Sequence, residues 1–355
     1  MRNLFVWGAI LFLTACGAHT QLPDVDQAAM EREAKIQRAL ALKEFVKFNT
    51  ILMQPAYQVR RASVELCEDN VSYSFGLAMV YDGNDEFSEA AVIEFDVRDN
   101  ALIYAIADGS PAAEAGLRVD DRITQINGQS LAGAHDAAIS AIDDAMQSGA
   151  AVQLSIKRDA QAFNTTITPI SVCGFPVQLI NDQAVNAFAD GERVMISKGM
   201  VRFVDSEDEL ALVIGHELAH NSEAHQDSKM GNAIVGAIFD GIAAGFGVNT
   251  GGLFSNALAN ANSQDFESEA DYVGAYFAAR AGYDVSNAAG LWRRMAASNP
   301  EAIHLAGTTH PSTAKRFLAL EEASAEIKQR QEAGEDLIPI EASPPSQTND
   351  YPGDD

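Results

Sequence analysis

Hydrophobic and polar positions follow different periods in successive parts of the chain. Between residues 24 and 54, apolar residues recur near helical spacing with charged residues between them, which predicts one long helix ending at Pro55. From residue 72 to 170 the apolar runs are short, as in β-strands separated by turns. The strand candidates are residues 75–81, 91–95, 102–107, 122–126, 152–158 and 165–170, and one helix is predicted at 134–147. Beyond residue 174 the pattern is mostly helical, after two short strands predicted at 177–180 and 194–197.

Composition limits the kinds of protein that this chain can form. Its 355 residues are 47% hydrophobic and 21% charged, which is enough to bury a core in two domains. Acidic residues outnumber basic ones by 50 to 24, and a surface with a formal charge of -26 repels nucleic acids. No apolar run reaches about twenty residues, which excludes a protein that crosses a membrane several times. The acidic, proline-containing residues 326–355 are predicted to be disordered.

The N-terminus has the pattern of a secretory signal. Arg2 precedes an apolar run at residues 4–13, which is too short to span a bilayer, and small residues follow it. The segment Leu13-Thr14-Ala15-Cys16 resembles the lipobox of bacterial lipoproteins, which implies removal of residues 1–15 and a lipid anchor on Cys16. Gly17 follows this cysteine, and the resemblance then favours the outer membrane, facing the periplasm. The alternative is an ordinary signal peptide in which the cysteine stands by chance.

The β-like region contains a motif of its own. The block from Asp108-Gly109-Ser110-Pro111 to Ile126-Asn127-Gly128 resembles a bacterial PDZ domain, and the resemblance covers about residues 72–170. It implies a groove between an edge strand and a helix, which binds a peptide as an added strand. Phe75, Gly76 and Leu77 are then the counterpart of the loop whose backbone amides hold a C-terminal carboxylate. Alternatively the domain acts only as a spacer or a gate.

Two cysteines flank this region almost symmetrically. In an oxidising compartment Cys67 and Cys173 are expected to pair, which closes the point where the inserted domain leaves and rejoins the chain. Two separate buried thiols are the alternative.

A helix with a metal-binding pattern follows. Ser206 and Glu209 have the form of a capping box, which predicts a helix from about residue 207 past residue 221. On that helix His216 and His220 are four residues apart and share a face, so both imidazoles can reach one metal ion. Glu217 is next to His216, close enough to take a proton from water at that metal. These are the requirements of a zinc peptidase.

A catalytic zinc ion needs a third protein ligand and an open position. The acidic start of a later helix offers Glu267, Glu269 and Asp271, of which Glu267 and Asp271 share a face. Residue types alone do not choose among the three. Without the histidine motif upstream, an acidic helix start that complements the helix dipole would be the simpler explanation.

The helical region resembles one known family. It is similar to the gluzincin family of CaaX prenyl endopeptidases and HtpX-type peptidases, in particular to the soluble periplasmic members. The similarity lies in residues 216–220, in Glu267 with Ala270-Asp271, and in residues 186–189. The resemblance covers about residues 174–320. It implies one zinc ion per chain.

The resemblance also implies individual roles. Glu267 is the third zinc ligand, and Asp271 lies behind the ligands. His310, followed by Pro311, lies near the zinc as a transition-state stabiliser or as a displaceable fourth ligand, and Arg316 braces the same region. The apolar, glycine-rich residues 230–261 form either a mobile lid over the site or a packed helical hairpin.

Together these patterns predict an α+β protein. A mainly helical peptidase domain (171–325) carries a small β-rich PDZ domain (72–170), inserted after an N-terminal helix (16–71). The expected activity is a zinc endopeptidase acting on misfolded or unassembled envelope proteins. The alternatives are an envelope chaperone or adaptor with a structural or closed zinc site, and a peptidase that is latent until the PDZ domain binds a substrate terminus.

Overall fold

The computed structural model describes residues 25–67, 70–83, 87–132, 135–223, 263–298 and 314–340. The signal segment with Cys16, residues 230–261 and His310 lie outside the described residues. Within the described ranges, no helix is both long enough and apolar enough to cross a membrane.

Helix α1 (Gln27–Ala62) begins at Asp26, whose side chain accepts the backbone N–H groups of Ala28 and Ala29. The helix continues through Pro55, so the predicted end at that residue is wrong. A proline inside a helix removes one hydrogen bond and costs about 3 kcal/mol. Here the proline and the residues after it are buried, and that packing offsets the loss; the buried residues are Pro55, Ala56, Tyr57 and Val59.

The β-rich domain (residues 71–173) contains a six-stranded antiparallel sheet. Its strands are β2 (Leu77–Val80), β3 (Ala101–Ile106), β4 (Arg122–Ile126), β5 (Gln129–Ser130), β6 (Val152–Arg158) and β7 (Gln161–Ile167). The spatial order is β2-β3-β4-β6-β7, with β5 paired to β4. Three helices accompany it: α2 (Ser88–Phe95), α3 (Pro111–Glu114) and α4 (His135–Ser148). Alternate strand residues such as Ile123, Leu154 and Ile156 pack against Ile139 and Ile142 of α4, which forms the core of this domain.

Both ends of the β-rich domain meet at one place. Strand β1 (Val71–Ser74) pairs with β8 (Ile170–Cys173), and a disulfide joins Cys67 to Cys173. Half-buried Arg60 of α1 donates to the carbonyl of Cys173 and to the hydroxyl of Ser72. The two ends of the β-rich domain therefore lie together, beside the C-terminal end of α1.

Two strand predictions in this domain need correction. Residues 91–95 belong to helix α2, because a five-residue run with four apolar residues fits either period, and here one face packs against Val80 and Leu102. The strand predicted at 165–170 is divided between β7 and β8, on either side of Pro169, which has no N–H to donate to a strand ladder.

The helical domain (residues 174–340) begins with a three-stranded sheet. Strands β9 (Val177–Ile180) and β11 (Val194–Ser197) are parallel, and β10 (Ala187–Ala189) pairs antiparallel with β11 at the edge. Its helices are α5 (Lys198–Phe203), α6 (Glu207–Ser222), α7 (Ser263–Arg280), α8 (Ala288–Ser298) and α9 (Ala314–Ala333). Helix α6 is buried from Glu209 to Asn221 and is the central element of this domain.

The tail begins later than predicted. Helix α9 continues to Ala333, and its Ile327 is fully buried. The segment that follows is held by hydrogen bonds, from Arg280 to the carbonyl of Leu337 and from the backbone of Ile340 to the hydroxyl of Tyr272. The predicted disorder is therefore wrong for residues 326–333, which lie in α9, whereas residues 334–340 are mostly exposed and make the hydrogen bonds just described.

Candidate metal centre

Helix α6 starts where the capping pattern predicted. The hydroxyl of Ser206 accepts the N–H of Glu209 at 3.3 Å, and the carboxylate of Glu209 accepts the N–H of Asp205 at 2.7 Å. Arg294 of α8 donates two hydrogen bonds to the same carboxylate, at 2.6 and 2.8 Å. The start of the helix is thus fixed by side chains from its own first turn and from α8.

Three buried side chains converge between α6 and α7. Nε2 of His216 lies 3.2 Å from Nε2 of His220. Carboxylate oxygens of Glu267 lie 3.5 Å from His216 and 3.3 Å from His220. All the candidate ligand atoms are within 4.8 Å of one another. Of the three acidic residues that the sequence left open, Glu267 is in the site, whereas Glu269 is exposed.

A close crossing of two helices produces this convergence. A Cβ atom at Gly215 would lie 2.4 Å from the carbonyl oxygen of Gly274, and one at Gly274 would lie 2.6 Å from the backbone nitrogen of His216. Only glycine allows the backbones of α6 and α7 to approach so closely. The histidines of one helix can then reach Glu267 and Asp271 of the other.

A second layer of charged groups stands behind the candidate ligands. Nδ1 of His216 lies 3.0 Å from a carboxylate oxygen of Asp271. Arg316 of α9 donates to both oxygens of Asp271, at 2.8 and 2.9 Å, and lies 3.2 Å from Glu267. A hydrogen on Nδ1 satisfies Asp271 and leaves Nε2 of His216 directed at His220 and Glu267, which is the orientation a metal ligand needs.

The electrostatics of the site favour a bound cation. Burial alone would lower the pKa of His216, but the hydrogen bonds to Asp271 and Glu267 outweigh it and raise the pKa to about 10. Burial opposes the ionisation of Asp271, yet Arg316 and His216 hold the pKa of its carboxyl below the ordinary value. Burial also disfavours charged Arg316, but three carboxylates, including Glu217, raise the pKa of its guanidinium. Among the described residues, three carboxylates face this one guanidinium, an arrangement that favours a cation.

Comparison with known proteins identifies the family. The profile of peptidase family M48 matches residues 147–324, half of the chain. The chain belongs to peptidase family M48. A PDZ domain profile matches residues 102–158, inside the β-rich domain. Peptidases of this family depend on a metal ion, and the two histidines and the glutamate of the site could hold one.

Two of the relatives found are described as mitochondrial metalloendopeptidases. The mitochondrial metalloendopeptidase OMA1 of Schizosaccharomyces pombe is 30% identical over 180 residues, which are 48% of this chain and 52% of that protein. The OMA1 of Arabidopsis thaliana is 29% identical over 178 residues, which are 49% of this chain and 36% of that protein. The chain therefore spans about half or less of the length of these relatives.

A PDZ domain is among the solved structures that match part of the chain. It is the PDZ domain of HtrA3 bound to a phage-derived ligand. The HtrA3 domain is 20% identical in sequence, and the match covers 29% of this chain and 88% of the HtrA3 chain. The TM-score of 0.23 is too low to carry any structural inference.

The donor set of this M48 chain fits a zinc ion. Zinc binds histidine nitrogens and carboxylate oxygens in a compact, nearly tetrahedral arrangement, and catalytic sites use three protein ligands. His216, His220 and Glu267 supply these donors from two rigid helices, with Asp271 behind the first of them. They are the residues that would hold the ion.

Some residues at the M48 site were not found from the sequence. The ring of Trp292 on α8 lies 5.0 Å from the ring of His216, centroid to centroid, and closes one side of the site. Gly215 stands directly before the histidine motif, but Gly274 carries no local signal of its role. Sequence reasoning also gave no reason to connect Glu209 with Arg294.

The structure places the predicted peptide-binding loop against α1. Phe75 is buried, and its carbonyl accepts the N–H of Ala112. Gly76 adopts a left-handed conformation with φ of 67°, and its N–H donates to the hydroxyl of Ser74. A Cβ at this position would lie 3.0 Å from the ring of Tyr57 on α1. Leu77 begins β2, which pairs only with β3 among the described strands.

Proposed function

We propose that the chain is a zinc-dependent endopeptidase, in which His216, His220 and Glu267 hold the metal and Glu217 is the general base. The observation that carries the proposal is the convergence of three buried donors, with Asp271 orienting one of them. Membership of family M48 and the description of the relatives as metalloendopeptidases support it.

The chain's own residues divide the chemistry among them. A zinc ion at this site would polarise the scissile carbonyl and make water a stronger nucleophile. Glu217 accepts a proton from the attacking water and later delivers it to the leaving amine. Asp271 holds the ring of His216, and Arg316 holds Asp271, so the ligands keep their geometry during the reaction. Burial of the site keeps bulk water away from these charges.

The substrate is proposed to bind as an added strand. Strand β10 is at the edge of its sheet and, in the described part of the chain, pairs only with β11. It packs against α6, which carries the histidine motif. An extended peptide that pairs with residues 186–188 would therefore lie along the candidate metal centre, with its backbone giving affinity and its side chains giving specificity.

The envelope is the proposed location. The lipobox-like segment ending at Cys16 supports a lipid anchor, in the outer membrane facing the periplasm. The disulfide between Cys67 and Cys173 fits an oxidising compartment. Misfolded or unassembled envelope proteins are the proposed substrates, inferred from this location, with the PDZ domain recognising them or gating the site.

The test compares the wild type with Glu217→Gln, which removes the base and keeps the shape of the side chain. We expect about one zinc ion per chain in both proteins and cleavage of an unfolded protein by the wild type alone. Glu269→Gln is the matched control, because this glutamate is exposed on α7, and it should cleave normally.

Two results would contradict the proposal. Equal cleavage by Glu217→Gln would show that Glu217 is not the general base. A zinc-loaded wild type that does not cleave, but prevents aggregation of the unfolded protein, would instead indicate an envelope chaperone.

A further inference from the structure

A cavity lies where α1, the β-rich domain and the helical domain meet. Its volume is about 380 Å³, within the range of small-molecule binding sites. Leu42 and Phe45 of α1 form one wall, Met79 of β2 and Phe87 form another, and Asn181 and Lys198 close the end at the helical domain. No candidate metal ligand lines it.

Lys198 is the unusual residue of this cavity. It is only 3% exposed, and its ammonium nitrogen lies 5.9 Å from the ring centroids of both Phe45 and Phe48. Among the residues that the structure describes, no carboxylate lies within ion-pair distance of it and no hydrogen bond is made by its side chain. Two other buried charges of the described residues do have such partners: Asp121 binds Arg158, and Asp271 binds Arg316. Lys198 lines the cavity, so an anionic group bound there could pair with its ammonium and would stabilise the protein.

A second polar group stands beside this lysine. Strands β9 and β11 are parallel with Ile180 opposite Ser197, so the residues that follow them, Asn181 and Lys198, end up side by side. An ammonium and an amide match the two oxygens of a carboxylate. The carboxylate would take a charge-assisted hydrogen bond from the lysine and a neutral one from the asparagine.

The apolar walls of the cavity determine which kind of ligand fits beyond its carboxylate. Apart from Lys198, Asn181 and Tyr81, its side chains are apolar. A peptide would bring several amide groups that such walls leave without hydrogen bonds, at a cost of about 1–3 kcal/mol for each buried group. An alkyl chain brings none.

We propose that this cavity binds an alkyl carboxylate, with its carboxylate at Lys198 and Asn181 and its chain between α1 and β2. The site is separate from the metal centre and independent of the proposed peptidase activity. Because its walls come from α1 and from both domains, a bound ligand would also hold these three parts together.

The test is calorimetric titration of the full chain with decanoate. We expect saturable binding of one decanoate per chain and a higher melting temperature. Lys198→Met, which keeps the length of the side chain and removes its charge, should weaken binding at least about tenfold. Lys157→Met, at an exposed lysine of β6, is the matched control and should bind as the wild type does.

Two further measurements keep the result unambiguous. Ala41→Trp narrows the exposed mouth of the cavity on α1 without touching the charge, and it should also weaken binding. Titrations repeated after removal of metal by a chelator should give the same affinity, since the carboxylate does not need the metal centre.

Several outcomes would overturn the proposal. They are no saturable binding, equal binding by wild type and Lys198→Met, equal binding of decanoate and decylamine, and preference for a peptide with a free leucine C-terminus over decanoate. The last result would assign the cavity to a polypeptide terminus instead.

Discussion

Gly274 of α7 lies directly against Gly215 of α6, so that a single methyl group on either residue would overlap the backbone of the other helix. This contact sets the distance between the helix that carries the two histidines and the helix that carries Glu267 and Asp271. The metal centre therefore depends on two residues that have no side chain.

Replacement of Gly274 by alanine should damage the site without changing any ligand. The new Cβ would lie 2.6 Å from the backbone nitrogen of His216, so the helices must separate. We expect a loss of about 1–3 kcal/mol in the free energy of unfolding and clearly weaker zinc binding. Denaturant unfolding and a zinc competition assay measure both effects.

Gly290→Ala is the control for that substitution. Gly290 is also in a helix, but the three atoms nearest to its added Cβ all belong to the side chain of Asn287, which can move away. Equal behaviour of the two variants would show that the contact between α6 and α7 does not hold the site.

Asp271 should act through His216 without contacting the metal. In Asp271→Asn the side chain keeps its shape but loses the charge that faces His216 and Arg316. Loss of such a supporting carboxylate typically weakens metal binding about 10–100-fold. Asp265→Asn, at an exposed position of the same helix, should bind zinc normally, and a similar loss there would point to a general effect of charge.

The ion pair between Glu209 and Arg294 should make the stability of the protein depend on pH. The hydrogen bonds from Arg294 lower the pKa of the Glu209 carboxyl, in spite of its burial. Because the pKa is lower in the folded state, the ionised carboxylate stabilises the protein at pH values above the unfolded-state pKa of 4.5. This stability is lost as the pH falls through the folded-state pKa.

Glu209→Gln should therefore be less stable than the wild type by about 1 kcal/mol at pH 7. The difference should shrink as the pH falls from 4.5 to the lower pKa of the folded state, below which the carboxyl is protonated in the folded wild type as well. Thermal unfolding between pH 3 and pH 7 gives the profile. Glu207→Gln, at the exposed start of α6, should show no such profile; if it does, the effect does not come from Arg294.

The disulfide should stabilise the junction between α1 and the β-rich domain. Cys67 and Cys173 are 106 residues apart, and in the chain-entropy model closing a loop of that length contributes up to about 4–5 kcal/mol. The double variant Cys67→Ala, Cys173→Ala should unfold at lower denaturant concentration than the wild type. A reductant should lower the unfolding midpoint of the wild type to that of the variant and leave the midpoint of the variant unchanged. A reductant effect of equal size on both would contradict this role.

Local patterns predicted the parts of this protein that depend on local spacing. His216 and His220 are four residues apart on one helix, and such a pair shares a face wherever the helix packs. Strand β6 likewise follows from the alternation of Val152, Leu154 and Ile156 with more exposed residues. Pro55 was misread because the burial of the residues around it, which outweighs the lost hydrogen bond, is a property of the packed domain.

Features made by distant segments could not be found in the same way. The role of Gly274 appears only when α6 and α7 cross, and the side chain of Trp292 reaches His216 only through the packing of α8. Lys198 reads as an ordinary surface lysine in the sequence. Its burial follows from the meeting of α1 with the two domains.

The most direct test of the central claim is the zinc content and peptidase activity of Glu267→Gln, measured beside Glu269→Gln. The two glutamates are two residues apart on one helix, one buried in the site and one exposed. We expect Glu267→Gln to lose most of its zinc and its cleavage of an unfolded protein, with both retained in Glu269→Gln. Full zinc binding and cleavage by Glu267→Gln would contradict the metal centre described here.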